Sequence, residues 1–290
     1  MTNTATPPAV AGLSALAPKY RYLLSDVWGV VHDGVHAFPA AVEAMERFRE
    51  GGGQVVLITN APRMKEQVLS HFDQLGVDRH AFDGLVTSGE AAHAWLKARP
   101  GARVLHLGPE RDLPIYAGLD IRLSGESDAE IVSCTGLYDD ETETPDDYAD
   151  RFARWRAAGL PFLCANPDRI VERGHRLIWC AGALAEAYAA KGGETILIGK
   201  PHAPIYETAL ARFAELAGGP VDKAAILAVG DGAETDIRGA NRAGLDVLFI
   251  TGGIHADSFG DRARPDPARV DAFLGGAGLA ARAHMPRLSW

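Results

Sequence analysis

The stretch Tyr20-Arg21-Tyr22-Leu23-Leu24-Ser25-Asp26 runs directly into Val27-Trp28-Gly29. An apolar run that stops at a carboxylate and then reaches a glycine reads as a buried parallel strand opening into a loop at a sheet edge. Three further runs have the same form. Residues 55–58 end in Thr59-Asn60, residues 195–198 in Gly199-Lys200, and residues 226–229 in Gly230-Asp231. Helical periodicity fills the gaps. Residues 39–50 carry Val42, Met45 and Phe48 on one face, with Pro39 at the start and Gly51 past the end, the polarity expected of a helix. Residues 64–75, 204–216 and 237–243 read likewise, and residues 247–250 as a last strand. Alternating strand and helix predicts an α/β fold: a doubly wound parallel sheet with helices on both faces.

The middle of the chain is less regular. Residues 85–87, 104–107, 131–134 and 162–165 are strand candidates. Residues 88–97, 145–158 and 181–190 read as helices, with Ser88 capping the first and Tyr148, Phe152 and Trp155 along one side of the second. The expected organisation is a core of residues 19–84 and 191–275, interrupted by an inserted α/β domain at 85–190. Residues 1–18, rich in Ala, Thr and Pro, read as a disordered leader, and 276–290 as a C-terminal tail. The acidic run 139–147 reads as a solvated face. Trp95, Trp155 and Trp179 read as core aromatics of the insert.

The chain has 290 residues, 47% apolar and 23% charged, enough to bury a sizeable core. Its net charge of -9 repels nucleic acid and anionic membrane, so neither is an expected partner, and a small anion needs a local positive site. No run reaches the roughly 18 apolar residues that span a bilayer. Cys134, Cys164 and Cys180 show no paired spacing, which suits a reducing compartment. The cytoplasm is the expected location.

Asp26, Thr59, Lys200 and Asp231 all follow the carboxyl ends of predicted strands, the edge where open α/β sheets bind ligands. Phosphoryl transfer needs a nucleophile, groups that neutralise the phosphate's charge and donors for its oxygens. Asp26 can be the nucleophile, since carboxylates form aspartyl-phosphates. Asp231 adds a second carboxylate for Mg2+, a hard ion that prefers oxygen. Lys200 supplies positive charge, and Thr59 with the amides around Asn60 can bind phosphate oxygens. No Gly-x-Gly-x-x-Gly follows the first strand, which makes a dinucleotide-binding dehydrogenase a distant rival.

Four segments carry a resemblance. Leu24-Ser25-Asp26-Val27-Trp28-Gly29-Val30, Leu57-Ile58-Thr59-Asn60-Ala61-Pro62-Arg63, Lys200-Pro201 and Gly230-Asp231-Gly232-Ala233-Glu234-Thr235-Asp236 resemble, in order, the four motifs of the haloacid dehalogenase (HAD) superfamily. Thr87-Ser88-Gly89-Glu90, Ala165-Asn166-Pro167-Asp168 and Gly182-Ala183-Leu184 look like its class IIA, the nitrophenylphosphatase and NagD-like enzymes. The resemblance implies a Rossmann-like core with the insert as a cap that selects substrate. It implies that Asp26 attacks phosphorus. Mg2+ would then bind Asp26, Asp231 and the main-chain oxygen of Trp28, with Asp236 holding a water at the metal from behind. Thr59 and Lys200 would bind phosphate, Lys200 also pairing with Asp26. Caps of this class often mediate dimers, so a homodimer is expected by analogy.

One position departs from the family. Its phosphatases carry a second aspartate two residues after the nucleophile, which protonates the leaving oxygen and then activates water. Here that residue is Trp28, whose indole donates a hydrogen bond but shuttles no proton. Losing a general acid costs about 10²- to 10⁴-fold. Three outcomes stay open: acceptance of good leaving groups only, substitution by His32 or Asp33, or loss of turnover, leaving a phosphate-ligand-binding or regulatory protein. A phosphotransferase is a further alternative. The expected function is hydrolysis of a small phosphorylated metabolite (sugar phosphate, nucleotide or pyridoxal phosphate) through an aspartyl-phosphate on Asp26.

Overall fold

A computed structural model describes residues 6–290. In chain order its elements are β1 (Tyr22–Asp26), α1 (Pro39–Glu50), β2 (Gln54–Thr59), α2 (Lys65–Leu75), β3 (Gly84–Thr87), α3 (Ser88–Lys97), β4 (Ala102–Leu107), β5 (Ile121–Leu123), β6 (Ile131–Cys134), α4 (Ala149–Ala157) and β7 (Phe162–Cys164). They continue with β8 (Ile170–Arg173), β9 (Arg176–Trp179), α5 (Ala181–Ala190), β10 (Thr195–Leu197), α6 (Ala203–Ala217), β11 (Ile226–Gly230), α7 (Arg238–Ala243), β12 (Asp246–Ile250), α8 (Pro267–Gly276) and β13 (Ala283–Met285). The described chain divides into two compact units, residues 6–59, 71–86 and 206–290 in the first, and 60–70 and 87–205 in the second.

The first unit is built on a sheet of order β13-β12-β11-β1-β2-β3. β1 pairs in parallel with β2 on one side and β11 on the other, and β12 and β13 continue in parallel outward. The central strands are apolar on both faces: Leu23, Leu24, Val55, Val56, Leu57, Leu227 and Val247 to Ile250 are buried. That is why they read as continuous apolar runs and not as alternating ones. The chain winds one way from β1 to β3 and the other way from β11 to β13. The strand order therefore reverses between β1 and β11.

Both ends of the chain correct the sequence reading. Residues 1–5 of the expected leader lie outside the described residues, but the rest of it is placed. The Val10 amide donates to the His284 carbonyl at 3.0 Å, the Leu13 amide to the Ser289 carbonyl at 2.7 Å, and Leu13 is fully buried. The expected tail supplies β13, whose three residues are buried. Neither segment is long or periodic enough to show itself alone; β13 pairs with β12, and the N-terminal segment is held on the C-terminal one.

The second unit has its own parallel sheet, order β10-β7-β6-β4-β5. On it packs an aromatic cluster of Tyr148, Phe152, Trp155, Phe162 and Tyr188, and a separate cluster holds Ala92, Leu96, Val104, Ile115 and Leu163. Its limits differ from the expected 85–190. Residues 60–70 and 191–205 group with it, since β10 pairs with β7. A short antiparallel hairpin, β8 with β9, was missed. Trp155 is core, as expected, but Trp179 lies on the hairpin at 38% exposure and Trp95 is only half-buried. Thr87 caps α3 by accepting from the Glu90 amide at 3.0 Å, whereas Ser88 donates to the Ile198 carbonyl at 2.5 Å.

The acidic run is not simply solvated. Asp140 is clamped between Arg111 and Arg173, the latter at 3.0 Å, and Glu141 between Arg173 and Arg176. These pairs tie the run to the hairpin. Burial pushes the Asp140 carboxyl up, but the two guanidiniums outweigh it and hold it below the usual carboxylate range. Among the described residues no helix is long and apolar enough to cross a membrane.

Candidate active site

The reversal point between β1 and β11 places the chemistry. Ser25 lies level with Val229, which puts Asp26 level with Gly230 and Asp231 one step beyond. On the other side Asp26 lies level with Ile58, so Thr59 follows one step further. These residues therefore stand at the carboxyl edge of three adjacent strands, in the crevice where the strand order turns. A strand end holds a reactive group more rigidly than a free loop does.

Asp236 joins them from the turn after β11. Asp26, Asp231 and Asp236 are all buried, and a carboxylate oxygen of each lies within 4.8 Å of the others. At such spacing two carboxylates repel by about 3 kcal/mol or more in a partly screened site. Main-chain amides offset part of this. Val27 N donates to Asp26 Oδ1 at 2.7 Å, Ile254 N to Asp231 Oδ2 at 2.8 Å and Gly232 N to Asp236 Oδ2 at 3.0 Å. A divalent cation held among them would offset more of it. Three hard oxygen donors with no sulfur or imidazole among them fit a divalent ion of the Mg2+ or Ca2+ type.

Glycine is required beside this cluster. Gly29 has φ +84°, and a methyl group there would lie 2.2 Å from Asp231 Oδ2. A side chain would be strained by the backbone and would collide with the carboxylate.

Trp28 sits in the tight turn after Asp26, where Gly29 N donates to the His32 carbonyl at 2.8 Å and Val31 N to the Val27 carbonyl at 2.7 Å. Its half-buried indole meets the His32 ring edge-on at 5.1 Å and covers Gly34, where a Cβ would fall 2.4 Å from the indole. His32 is buried, and its Nδ1 accepts from Gly34 N at 2.9 Å. Asp33 Oδ1 accepts from Val35 N at 2.9 Å and His36 N at 2.7 Å. Burial pushes the Asp33 carboxyl up, but the two amides prevail and keep it below the ordinary range. Both residues shape the loop.

Asn60 and Lys200 belong to the second unit, where they are joined. Lys200 N donates to Asn60 Oδ1 at 2.7 Å, and Asn60 Nδ2 donates to the Lys200 carbonyl at 3.2 Å and to Asp168 Oδ1 at 2.9 Å. Asn60 is thus a clasp for the Lys200 segment, and Asp168 is one of its partners. Lys200 is buried.

The sequence reading missed the loop after β12. Besides the Ile254 amide on Asp231, His255 Nε2 accepts from Ala233 N at 3.2 Å and so supports the turn that carries Asp236. Burial lowers the His255 pKa, against the opposing charges of Asp236 and Glu234, which keeps Nε2 free to accept. The loop is itself fixed by Thr251 N and Gly252 N, which donate to the Met285 and Pro286 carbonyls at 2.9 and 2.8 Å. The signal was present: Thr251-Gly252-Gly253 follows a buried strand, as Gly230-Asp231 does.

Residues 23–122 match the model of the haloacid dehalogenase-like hydrolases, and residues 197–274 a HAD-hydrolase-like model. A crystal structure of a haloacid dehalogenase-like hydrolase from Brucella suis superposes with TM-score 0.86 at 46% identity, covering 96% of this chain and 98% of that one. D-glycerol 3-phosphate phosphatase of Mycobacterium tuberculosis is 29% identical over 91% of this chain and 71% of its own length. A crystal structure of the glycerol phosphate phosphatase from that organism, in complex with magnesium, gives TM-score 0.64 at 28% identity, covering 88% of this chain and 74% of that one. The chain belongs to the haloacid dehalogenase-like hydrolase family.

Proposed function

We propose that the chain is a Mg2+-dependent phosphatase acting on a small phosphorylated metabolite, with Asp26 as the nucleophile. The observation that carries the proposal is the trio of buried carboxylates at the reversal point, with oxygens within 4.8 Å of one another. The activity of the mycobacterial relative, a glycerol phosphate phosphatase, supports the reaction class, and the magnesium in its crystal structure supports the ion.

Asp26 and Asp231, with the main-chain oxygen of Trp28, would hold the cation, and Asp236 would stand behind them. When bound, the ion supplies positive charge against the phosphate oxygens. Val27 N fixes the Asp26 carboxylate through Oδ1, and this carboxylate would attack phosphorus. Thr59, at the end of β2, would donate to a phosphate oxygen, and Lys200 would add the positive charge. The three cysteines are buried and free of disulfides, in keeping with the cytoplasmic location we assign.

Phosphate release from 4-nitrophenyl phosphate, with Mg2+ and with EDTA, tests the reading. Release that needs the ion and disappears in Asp26→Asn supports it. No phosphate release under any condition, by wild-type protein that is folded, overturns it in favour of a ligand-binding protein.

A further inference from the structure

We propose that residues 284–290, clasped by residues 8–13, form a strap that positions both loops of the metal site, so that affinity for the cation is set in part by segments outside those loops. The inference rests on Asp26 and Asp231 being metal ligands and deepens that reading by naming what holds them.

All of the strap's contacts lie within the first unit. β13 runs parallel to β12 and delivers the strap to the carboxyl edge of the sheet. There it holds the loop after β12. Thr251 N and Thr251 Oγ1 donate to the Met285 carbonyl at 2.9 and 3.1 Å, and Gly252 N donates to the Pro286 carbonyl at 2.8 Å. The approach is close: a Cβ on Gly252 would fall 2.3 Å from that carbonyl oxygen. The next two residues hold Asp231. Gly253 abuts its Oδ2, and Ile254 N donates to the same oxygen at 2.8 Å. A shift of the strap therefore reaches a ligand carboxylate within three residues of loop.

Arg287 reaches the other loop. Its guanidinium lies 4.3 Å from the centre of the Phe38 ring, a cation–π contact. Phe38 closes the loop that follows Asp26. Phe38 N donates to the Val31 carbonyl and Val31 N to the Val27 carbonyl, both at 2.7 Å, while Val27 N holds Asp26 Oδ1 at 2.7 Å. Trp28, whose main-chain oxygen completes the proposed ligand set, lies in this loop.

The strap is in turn held from outside. His284 N donates to the Pro8 carbonyl and Val10 N to the His284 carbonyl, each at 3.0 Å, and Leu13 N donates to the Ser289 carbonyl at 2.7 Å. Ala9 bridges to His284 and so covers the outer edge of β13, the last strand of the sheet. Leu13 and Leu288 are buried, so the clasp is packed as well as hydrogen-bonded. Carboxylates that repel one another drift apart when their loops are loose, and a cation then binds more weakly by the cost of ordering them.

The test measures Mg2+ binding by calorimetry, beside Tm, for wild type, Leu13→Ala, Arg287→Ala and Arg287→Lys. Leu13→Ala loosens the clasp, and Arg287→Ala the hold on Phe38. Each should weaken Mg2+ binding about 10-fold, the low end of what losing support behind a metal site costs. Arg287→Lys keeps a cation over the ring and should recover most of the loss. Asp140→Ala, in the second unit, is the control: its Tm should fall with Mg2+ affinity unchanged. Saturating Mg2+ should restore 4-nitrophenyl phosphate turnover in the strap variants, so that the defect appears in the metal constant and not in kcat. Wild-type Mg2+ affinity in Leu13→Ala or Arg287→Ala, or an equal loss in Asp140→Ala, overturns the inference. Absence of Mg2+ binding to folded wild type, or binding that survives unchanged in Asp231→Asn, instead overturns the metal site itself.

Discussion

Gly253 lies directly against Asp231: a methyl group built on Gly253 would sit 1.9 Å from Asp231 Oδ2, the oxygen that accepts the Ile254 amide at 2.8 Å. The loop after β12 therefore touches a carboxylate carried by the loop after β11, and fixes which way it points. Gly253→Ala must push Asp231 out of the cluster or shift the loop. The fold should survive, because the clash is with a side chain at the sheet edge. Phosphatase activity should fall by about 10²-fold or more, the cost of displacing a charged group at the reacting centre. Circular dichroism with a Mg2+ titration of activity would check both halves. A variant with wild-type Mg2+ dependence would mean that Asp231 does not bind the ion.

His255 acts one step further back. His255→Ala leaves the Ala233 amide without its acceptor and loosens the turn that carries Asp236. A lost hydrogen bond of this kind costs about 1 kcal/mol of stability, and loss of a supporting partner behind a metal site about 10- to 100-fold in affinity. The rise in Tm on adding Mg2+ should shrink accordingly, and His255→Asn, which keeps a short acceptor, should recover part of it. An unchanged Mg2+-induced shift in His255→Ala would show that the contact is incidental.

The pH dependence of stability follows from His284. It is fully buried, neither ring nitrogen has a hydrogen-bond partner among the described residues, and burial lowers its pKa. The folded state thus resists a proton that the unfolded chain takes up near pH 6.5. Its contribution is fully present above that pH and is lost as pH falls toward the lower folded pKa. Tm should drop between about pH 7 and 5, and His284→Phe, which buries a ring with no polar atom, should flatten that drop. A variant with the same acid profile as wild type would assign the loss to other groups, of which His106 and His255, both also lowered by burial, are the first to examine.

Asp140 joins the 139–147 run to the hairpin through Arg111 and Arg173. Asp140→Ala removes a largely buried carboxylate and leaves two guanidiniums facing each other. Breaking a half-buried pair of this kind should cost about 2 kcal/mol, and the β8–β9 hairpin should become the first site of proteolytic cleavage. Limited proteolysis with mapping of the first cut reads this out; a first cut elsewhere would mean that the hairpin stands without the carboxylate.

Much of the first unit was legible because its central strands are buried on both faces. Residues such as Leu23-Leu24 and Val55-Val56-Leu57 leave no alternation to confuse the reading, and the polar residue after each run marks the sheet edge. Asp26 and Asp231 were found this way, whereas Asp236 came from the resemblance of the Gly230–Asp236 segment. The terminal segments were not legible, because the Leu13 segment is held by Ser289, 276 residues away, and the three-residue strand Ala283–Met285 takes its place only by pairing with β12 and the N-terminal segment. The hairpin was hidden for another reason: Leu177 and Trp179 are apolar yet exposed, so its short strands show no alternation of apolar and polar positions. Asp33 and His32 looked like spare acids in the sequence because their amide partners, Val35, His36 and Gly34, are fixed by loop geometry that composition does not encode. The Thr251–His255 loop left a glycine signal, but a glycine pair alone does not say what it must avoid.

The central claim is that Asp26, Asp231 and Asp236 surround one divalent cation. Crystals grown with Mn2+, a scattering substitute for Mg2+ with the same taste for oxygen, test it most directly. The account predicts one strong anomalous peak bonded to Asp26 and Asp231, absent in Asp231→Asn. No peak among these carboxylates at saturating Mn2+, or a peak that persists unchanged in Asp231→Asn, would contradict it.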